Sequence, residues 1–132
     1  MPSPTIHRRT LIRAGALGLA ALALGAPPAA AQTRSGAVRG RAGHTARGSV
    51  TLRKSGDRWT VSFSRDFRVD RAPDPVVAFG SASTYRASTV FSAMKARGAQ
   101  SFRVPANLDP NRYSHVWVWC RLFNVPLAVA SL

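Results

Sequence analysis

The chain has 132 residues, and its 19 lysines and arginines against 5 acidic residues give a formal net charge of +14 at pH 7. The acids are all aspartates, and without glutamate a hydrolase that works through paired carboxylates is poorly supported. The basic surplus favours anionic partners such as lipid headgroups, acidic polysaccharide or an acidic redox protein, whereas the sequence has no base-reading motif and nucleic acid is not expected.

The first 31 residues are expected to be an export signal that is removed. Arg8-Arg9, followed by two aliphatic residues and another arginine, resembles the signal of the twin-arginine export route. The small apolar run that follows, residues 14–26, is too short for a membrane-spanning helix of about 20 residues. Ala29-Ala30-Ala31 offers a small-residue cleavage site. The mature chain would then be periplasmic or secreted, would begin at Gln32 and would have no transmembrane segment.

The mature chain is long enough for one small domain. Its first part, residues 32–47, is rich in Gly, Ala and Arg without apolar periodicity, so it is predicted to be a flexible lead-in, with His44 near its end. The domain is predicted over residues 48–132. It opens with apolar residues in alternation on both sides of a Ser-Gly-Asp turn at 55–57, which predicts an antiparallel hairpin with one buried face.

Further short strands are predicted towards the C-terminus. They lie around residues 76–79, 100–104 and 127–132, separated by loops that contain Pro, Gly or Asn. Several short strands at this spacing are typical of an all-β fold, and we predict a small antiparallel β-sandwich.

The stretch Tyr113–Phe123 contains the only cysteine and two of the three tryptophans, and its β-branched and aromatic residues predict a central strand. Successive strand side chains point to opposite faces. One face would carry Val116, Val118, Cys120 and Leu122, and the other His115, Trp117, Trp119, Arg121 and Phe123. The two tryptophans are expected to pack against the second face of the sandwich.

A lone cysteine in an oxidising compartment forms no internal disulfide. It is either buried and inert, paired with another molecule, bound to a prosthetic group, or kept as a reactive thiol. The apolar neighbours predicted for Cys120 favour burial. Composition does not decide among these states.

The C-terminal region resembles a known family. Tyr113, Val116, Trp119-Cys120, Phe123, Val125-Pro126 and Ala130-Ser131-Leu132 resemble the C-terminal signature of the DM-thirteen domain. Further similarities lie at His44 with Gly48, Trp59 to Phe67, Pro73-Asp74, Lys95, Gly98 to Gln100, and Phe102 with Val104-Pro105. The resemblance implies an extracytoplasmic β-sandwich with a proposed electron-transfer role. That role would centre on the cysteine, as a naked thiol or as ligand to a group such as haem.

Three residues are therefore candidates for the site. Cys120 is the candidate redox thiol, and Cys120, His44 and His115 are the candidate cofactor ligands. His115 and Cys120 would lie on opposite faces of a regular strand and so could not hold one ion together without a bulge. No spaced Cys/His set is present, and no metal site is predicted. The Cys-x-x-Cys-His motif is also absent, so a haem would be bound without it, non-covalently or through a thiolate.

The sequence thus predicts an exported single-domain protein with a redox or electron-transfer role centred on Cys120. It would act as a redox accessory to a partner protein or as a binding domain rather than as a stand-alone catalyst. The alternative is a non-enzymatic binding module that uses its basic surface on anionic partners. A third interpretation is a structural domain in which Cys120 fills the core.

Overall fold

The computed structural model describes residues 32–132. The predicted export signal and its cleavage site lie outside this range. Within it, no helix is long and apolar enough to cross a membrane. The secondary structure there consists of strands and two short 3-10 helices, Ala87–Thr89 and Pro110–Arg112. The strands are β1 (Thr33–Gly40), β2 (Ala46–Arg47), β3 (Ser49–Ser55), β4 (Arg58–Phe63), β5 (Arg68–Val69), β6 (Pro75–Gly80), β7 (Ser92–Ala93), β8 (Gln100–Arg103), β9 (His115–Cys120) and β10 (Val125–Ser131).

Eight of these strands form one antiparallel sheet, and β2 pairs with β5 beside it. The sheet order is β7-β6-β9-β10-β1-β3-β4-β8. The sheet curves around a single core to which β3, β4, β6, β9 and β10 contribute buried residues, so that it is nearly closed. The prediction of an all-β, antiparallel sandwich-like fold is confirmed.

The hairpin formed by β3 and β4 follows directly from the alternation in the sequence. Val50 and Leu52 face inward and pair with Phe63 and Val61. The turn between the strands contains Gly56, whose φ of 63° suits a residue without a Cβ. One face of this hairpin is therefore core and the other is in solvent.

The prediction of a flexible lead-in over residues 32–47 is wrong. Strand β1 lies there, inserted between β10 and β3 in the middle of the sheet. The only large apolar residue of β1 that is buried is Val38. Gly36 and Gly40, two residues before and after it, face inward as well. A Cβ on Gly36 would lie 1.6 Å from the Ser131 carbonyl oxygen. The glycines let the backbone of β1 lie close to its neighbours where another strand would place apolar side chains. The sequence of β1 therefore lacks the alternation of apolar and polar residues that predicts a strand.

The predicted strand over Tyr113–Phe123 is shorter in the structure. β9 ends at Cys120, which pairs with Val125 at the start of β10. Residues 121–124 form the connecting turn, in which Asn124 has a φ of 53°. Leu122 and Phe123 are consequently 65% and 64% exposed. The prediction that Leu122 shares the buried face of Cys120 is wrong.

The outer face of β9 is covered by the loop that follows β6. Tyr85 from that loop stacks on Trp119 with ring centroids 3.7 Å apart. Trp117 is 2% exposed, and its indole N–H donates to the Ser81 carbonyl oxygen at 2.8 Å. The strand is thus covered on both faces.

Candidate functional site

Cys120 lies at the end of a central strand. It pairs with Pro75 of β6 on one side and with Val125 of β10 on the other. Its side chain belongs to the hydrophobic core, is 0% exposed and forms no disulfide within the described residues. A thiol that is fully covered in this way is not accessible to reagents in solution.

An open pocket of about 570 Å³ lies directly above Cys120. Its walls are mostly apolar, and it is lined by His44, Arg71, Ala72, Pro73, Cys120, Phe123 and Val125. Cys120 is one of these lining residues, although its side chain is not exposed to solvent. Two of the three candidate residues from the sequence, His44 and Cys120, therefore meet at one site despite their separation along the chain.

The imidazole of His44 is held in a defined tautomer. Its Nδ1 lies 3.0 Å from the backbone carbonyl oxygen of Asp70. A carbonyl oxygen can only accept, so Nδ1 carries the proton, and in the neutral ring Nε2 keeps its lone pair. Histidines that bind metals or haem iron usually have their other nitrogen fixed in this way by a carbonyl or carboxylate.

The carboxylate of Asp70 secures the loop that carries His44. Its Oδ1 accepts the Thr45 backbone N–H at 2.8 Å, and its Oδ2 lies 3.6 Å from Arg71 Nε. Arg71 also donates to the Gly43 carbonyl oxygen at 2.9 Å. The hydrogen bond from Thr45, with smaller contributions from the charges of Arg71 and His44, holds the pKa of Asp70 below its usual value of 3.8.

We expect Asp70→Asn to weaken the protein at neutral pH and to have less effect in acid. A carboxyl group whose pKa is lowered by folding stabilises the folded state above its unfolded pKa, and that contribution is lost as the pH falls through the folded pKa. The difference in free energy of unfolding between wild type and Asp70→Asn should be present at about pH 5 and above and shrink below about pH 4. Urea denaturation at several pH values measures it. A difference that grows in acid would contradict this role.

A second ion pair fixes the rim of the pocket. Arg121, at the start of the turn after β9, donates through Nε and a terminal nitrogen to the two carboxylate oxygens of Asp74, each at 3.3 Å. The Arg121 backbone N–H also donates to the Asp74 carbonyl oxygen at 3.0 Å. These contacts tie the turn that carries Phe123 to the loop at residues 72–75.

His115 lies away from this site. It sits on the outer face of β9, with Nδ1 2.6 Å from the Ser114 hydroxyl oxygen, beside a separate shallow pocket lined in part by Arg39 and Arg41. This matches its predicted position on the face opposite Cys120. The structure therefore brings together His44 and Cys120 and leaves His115 apart.

The residues that build the pocket around the two candidates were not predicted from the sequence. Asp70 and Arg71 are loop residues whose partners are distant in sequence, and no local pattern marks them. Phe123 was predicted to lie on a strand, whereas it lies in the turn between β9 and β10. Arg121 was placed on the face opposite Cys120, and its link to Asp74 has no sequence signature.

Comparison with known protein families gave a match over most of the described residues. The family model described as Electron transfer DM13 matches residues 39–132. Searches of curated proteins and of solved structures gave no match. The matched range contains both His44 and Cys120.

Proposed function

Because the chain belongs to the electron-transfer DM13 family, we propose that it is an exported electron-transfer domain whose redox centre lies in the pocket shared by His44 and Cys120. The family supports the electron-transfer role and implies a redox partner protein. The twin-arginine-like N-terminus supports export. The observation that carries the location is the meeting of an oriented imidazole and the only cysteine at one open pocket.

The donor set fits a prosthetic group that needs one or two ligands from the protein. Imidazole and thiolate are both used in proteins to hold haem iron. A group of this kind would supply a one-electron carrier when bound. The His44 side chain is 13% exposed, and its Nε2 is not used in the contact with Asp70, whereas the thiol of Cys120 is covered. In this proposal His44 would be the primary ligand, and Cys120 would be one of the residues that line the pocket around the group.

The other residues of the pocket would tune and shield the centre. The Asp70 carbonyl keeps the proton on Nδ1 and fixes the ring plane. Pro73, Phe123 and Val125 line the pocket with apolar surface that would reduce the contact of a bound group with water. Arg71, 70% exposed at the rim, gives the pocket entrance positive charge. Such burial and charge are the means by which a protein sets a reduction potential.

A naked-thiol centre is less well supported by the geometry. Thiol chemistry needs a thiolate that is accessible and electrostatically stabilised. Cys120 is fully covered, and Arg121, its neighbour in sequence, is engaged with Asp74. The proposal therefore places electron exchange on a bound group rather than on the sulfur alone.

The test is the visible absorption spectrum of full-length protein exported by its own signal. We expect absorption from a bound group, lost in His44→Gln because glutamine cannot replace the Nε2 donor. His115→Gln is the matched control, since it removes an imidazole outside the pocket, and it should leave the spectrum unchanged. Cys120→Ser should alter the spectrum if the sulfur touches the group. A colourless wild type, or a spectrum indifferent to His44→Gln, would overturn the proposed centre.

A further inference from the structure

The outward face of β3, β4 and β8 has an unusual composition. Their inward residues form the core, and the outward ones are arginines, serines and threonines. Among the outward residues of these three strands there is no acid and no large apolar side chain. We call this surface the arginine–hydroxyl face and define it by Arg53, Arg58, Thr60, Ser62, Ser101 and Arg103.

Strand register places the polar groups of this face in rows. Arg53 pairs with Thr60, which pairs with Arg103, so one hydroxyl stands between two guanidinium groups. Neighbouring strands are about 5 Å apart, which puts the two arginine Cα atoms about 10 Å apart. The adjacent row contains Ser62 and Ser101, whose hydroxyl oxygens lie 2.8 Å apart. The sheet thus presents two cations and several hydroxyls at fixed spacing.

These arginines are free of internal ion pairs. In the part of the chain that the structure describes, the ion pairs involve Asp70 and Asp74, at the other site. Arg53, Arg58 and Arg103 are exposed and take part in none of them. The acid closest along the chain, Asp57, lies in the turn between β3 and β4. The positive charge of the face is therefore available to a partner.

We propose that the arginine–hydroxyl face binds an anionic polysaccharide. Guanidinium groups pair with carboxylate and sulfate oxygens in a two-point geometry, and serine and threonine hydroxyls can exchange hydrogen bonds with sugar hydroxyls. Two guanidinium groups about 10 Å apart across the strands suit a linear polymer with regularly spaced anionic groups. A lipid surface is a poorer fit, because this face offers no large apolar side chain to enter the membrane, and Leu122 and Phe123 lie on the turn beside the pocket.

This binding function is independent of the proposed redox centre. It would hold the domain at a polyanionic matrix while the His44–Cys120 pocket stays free. Because the two sites share no residue, Cys120→Ala is expected to leave polysaccharide binding unchanged. The failure of either proposal therefore leaves the other standing.

The test compares two double variants with equal net charge. Full-length wild type, Arg53→Ser/Arg103→Ser and Arg65→Ser/Arg86→Ser are titrated with heparin, with alginate, and with vesicles of phosphatidylcholine and phosphatidylserine. Arg65 and Arg86 are exposed arginines outside the face. Affinity for heparin or alginate should fall at least about tenfold, about 1.4 kcal/mol, in the first variant and stay within about twofold in the second. Binding of the wild type should weaken as salt is raised.

A charge-preserving variant separates the geometry of the arginines from their charge. Arg53→Lys/Arg103→Lys keeps both charges but loses the two-point pairing, and we expect a loss smaller than that of the serine variant. Circular dichroism checks that each variant is folded. If Arg53→Ser/Arg103→Ser does not fold, the affinity of Arg53→Lys/Arg103→Lys is compared with that of the wild type instead. Equal losses in the two serine variants would reduce the effect to net charge and overturn the proposal. Unchanged binding in Arg53→Ser/Arg103→Ser, or tighter binding to the vesicles than to either polysaccharide, would also overturn it.

Discussion

Replacement of Gly36 by valine is expected to abolish folding. A Cβ at this position would lie 1.6 Å from the carbonyl oxygen and 2.8 Å from the carbonyl carbon of Ser131, both backbone atoms. β1 is paired on both sides, with β10 and with β3, so it cannot shift away without breaking one of the two ladders. We expect a cost above about 4 kcal/mol. That cost is comparable to the whole stability of a small domain.

The matched control is Ala37→Val, one residue further along the same strand. Ala37 points outward and is exposed, and a β-branched residue suits a strand. Thermal unfolding followed by circular dichroism should show a cooperative transition for Ala37→Val and none for Gly36→Val. A cooperative transition for Gly36→Val close to that of wild type would show that β1 does not hold the central position in the sheet.

Truncation of Phe79 to alanine should cost about 3–5 kcal/mol, the usual range for a fully buried phenylalanine. Phe79 is 0% exposed on β6, next to β9. Its ring stacks on Phe91 at 5.3 Å and on Tyr113 at 5.8 Å between centroids. Its removal leaves a cavity and separates two aromatic rings that hold loops against the sheet.

The same truncation at Phe123 provides the comparison, because this ring is 64% exposed on the turn after β9. Phe123→Ala should change the free energy of unfolding by no more than about 0.5 kcal/mol. Urea denaturation of both variants measures the difference. Similar losses in the two variants would contradict the assignment of Phe79 to the core and of Phe123 to the surface.

The parts of the fold that the sequence predicts are those in which side chains carry the signal. The hairpin of β3 and β4 alternates large apolar and polar residues, and its strands appear where expected. The position of β1 depends on glycines that permit close backbone contact. A pattern of hydrophobicity does not reveal that Gly36 lies against Ser131, a residue near the other end of the chain. The end of β9 was missed because the apolar character of Leu122 and Phe123 continues through a turn.

The candidate site was predictable residue by residue but not as an arrangement. Cys120 and His44 could be selected because of their chemistry and the family resemblance. Their meeting depends on the Asp70 carbonyl and on the Arg121–Asp74 ion pair, both long-range contacts between loops and strand ends. The face opposite Cys120 could be assigned from strand alternation alone, and His115 was correctly placed there.

In the proposed function, the pocket of His44 and Cys120 holds the centre that exchanges electrons. The most direct test is a potentiometric titration of the full-length protein exported by its own signal, with His44→Gln and His115→Gln beside it. A reversible one-electron transition is expected in wild type and in His115→Gln, and it should be absent from His44→Gln. No transition in the wild type, or the same transition in all three proteins, would contradict it.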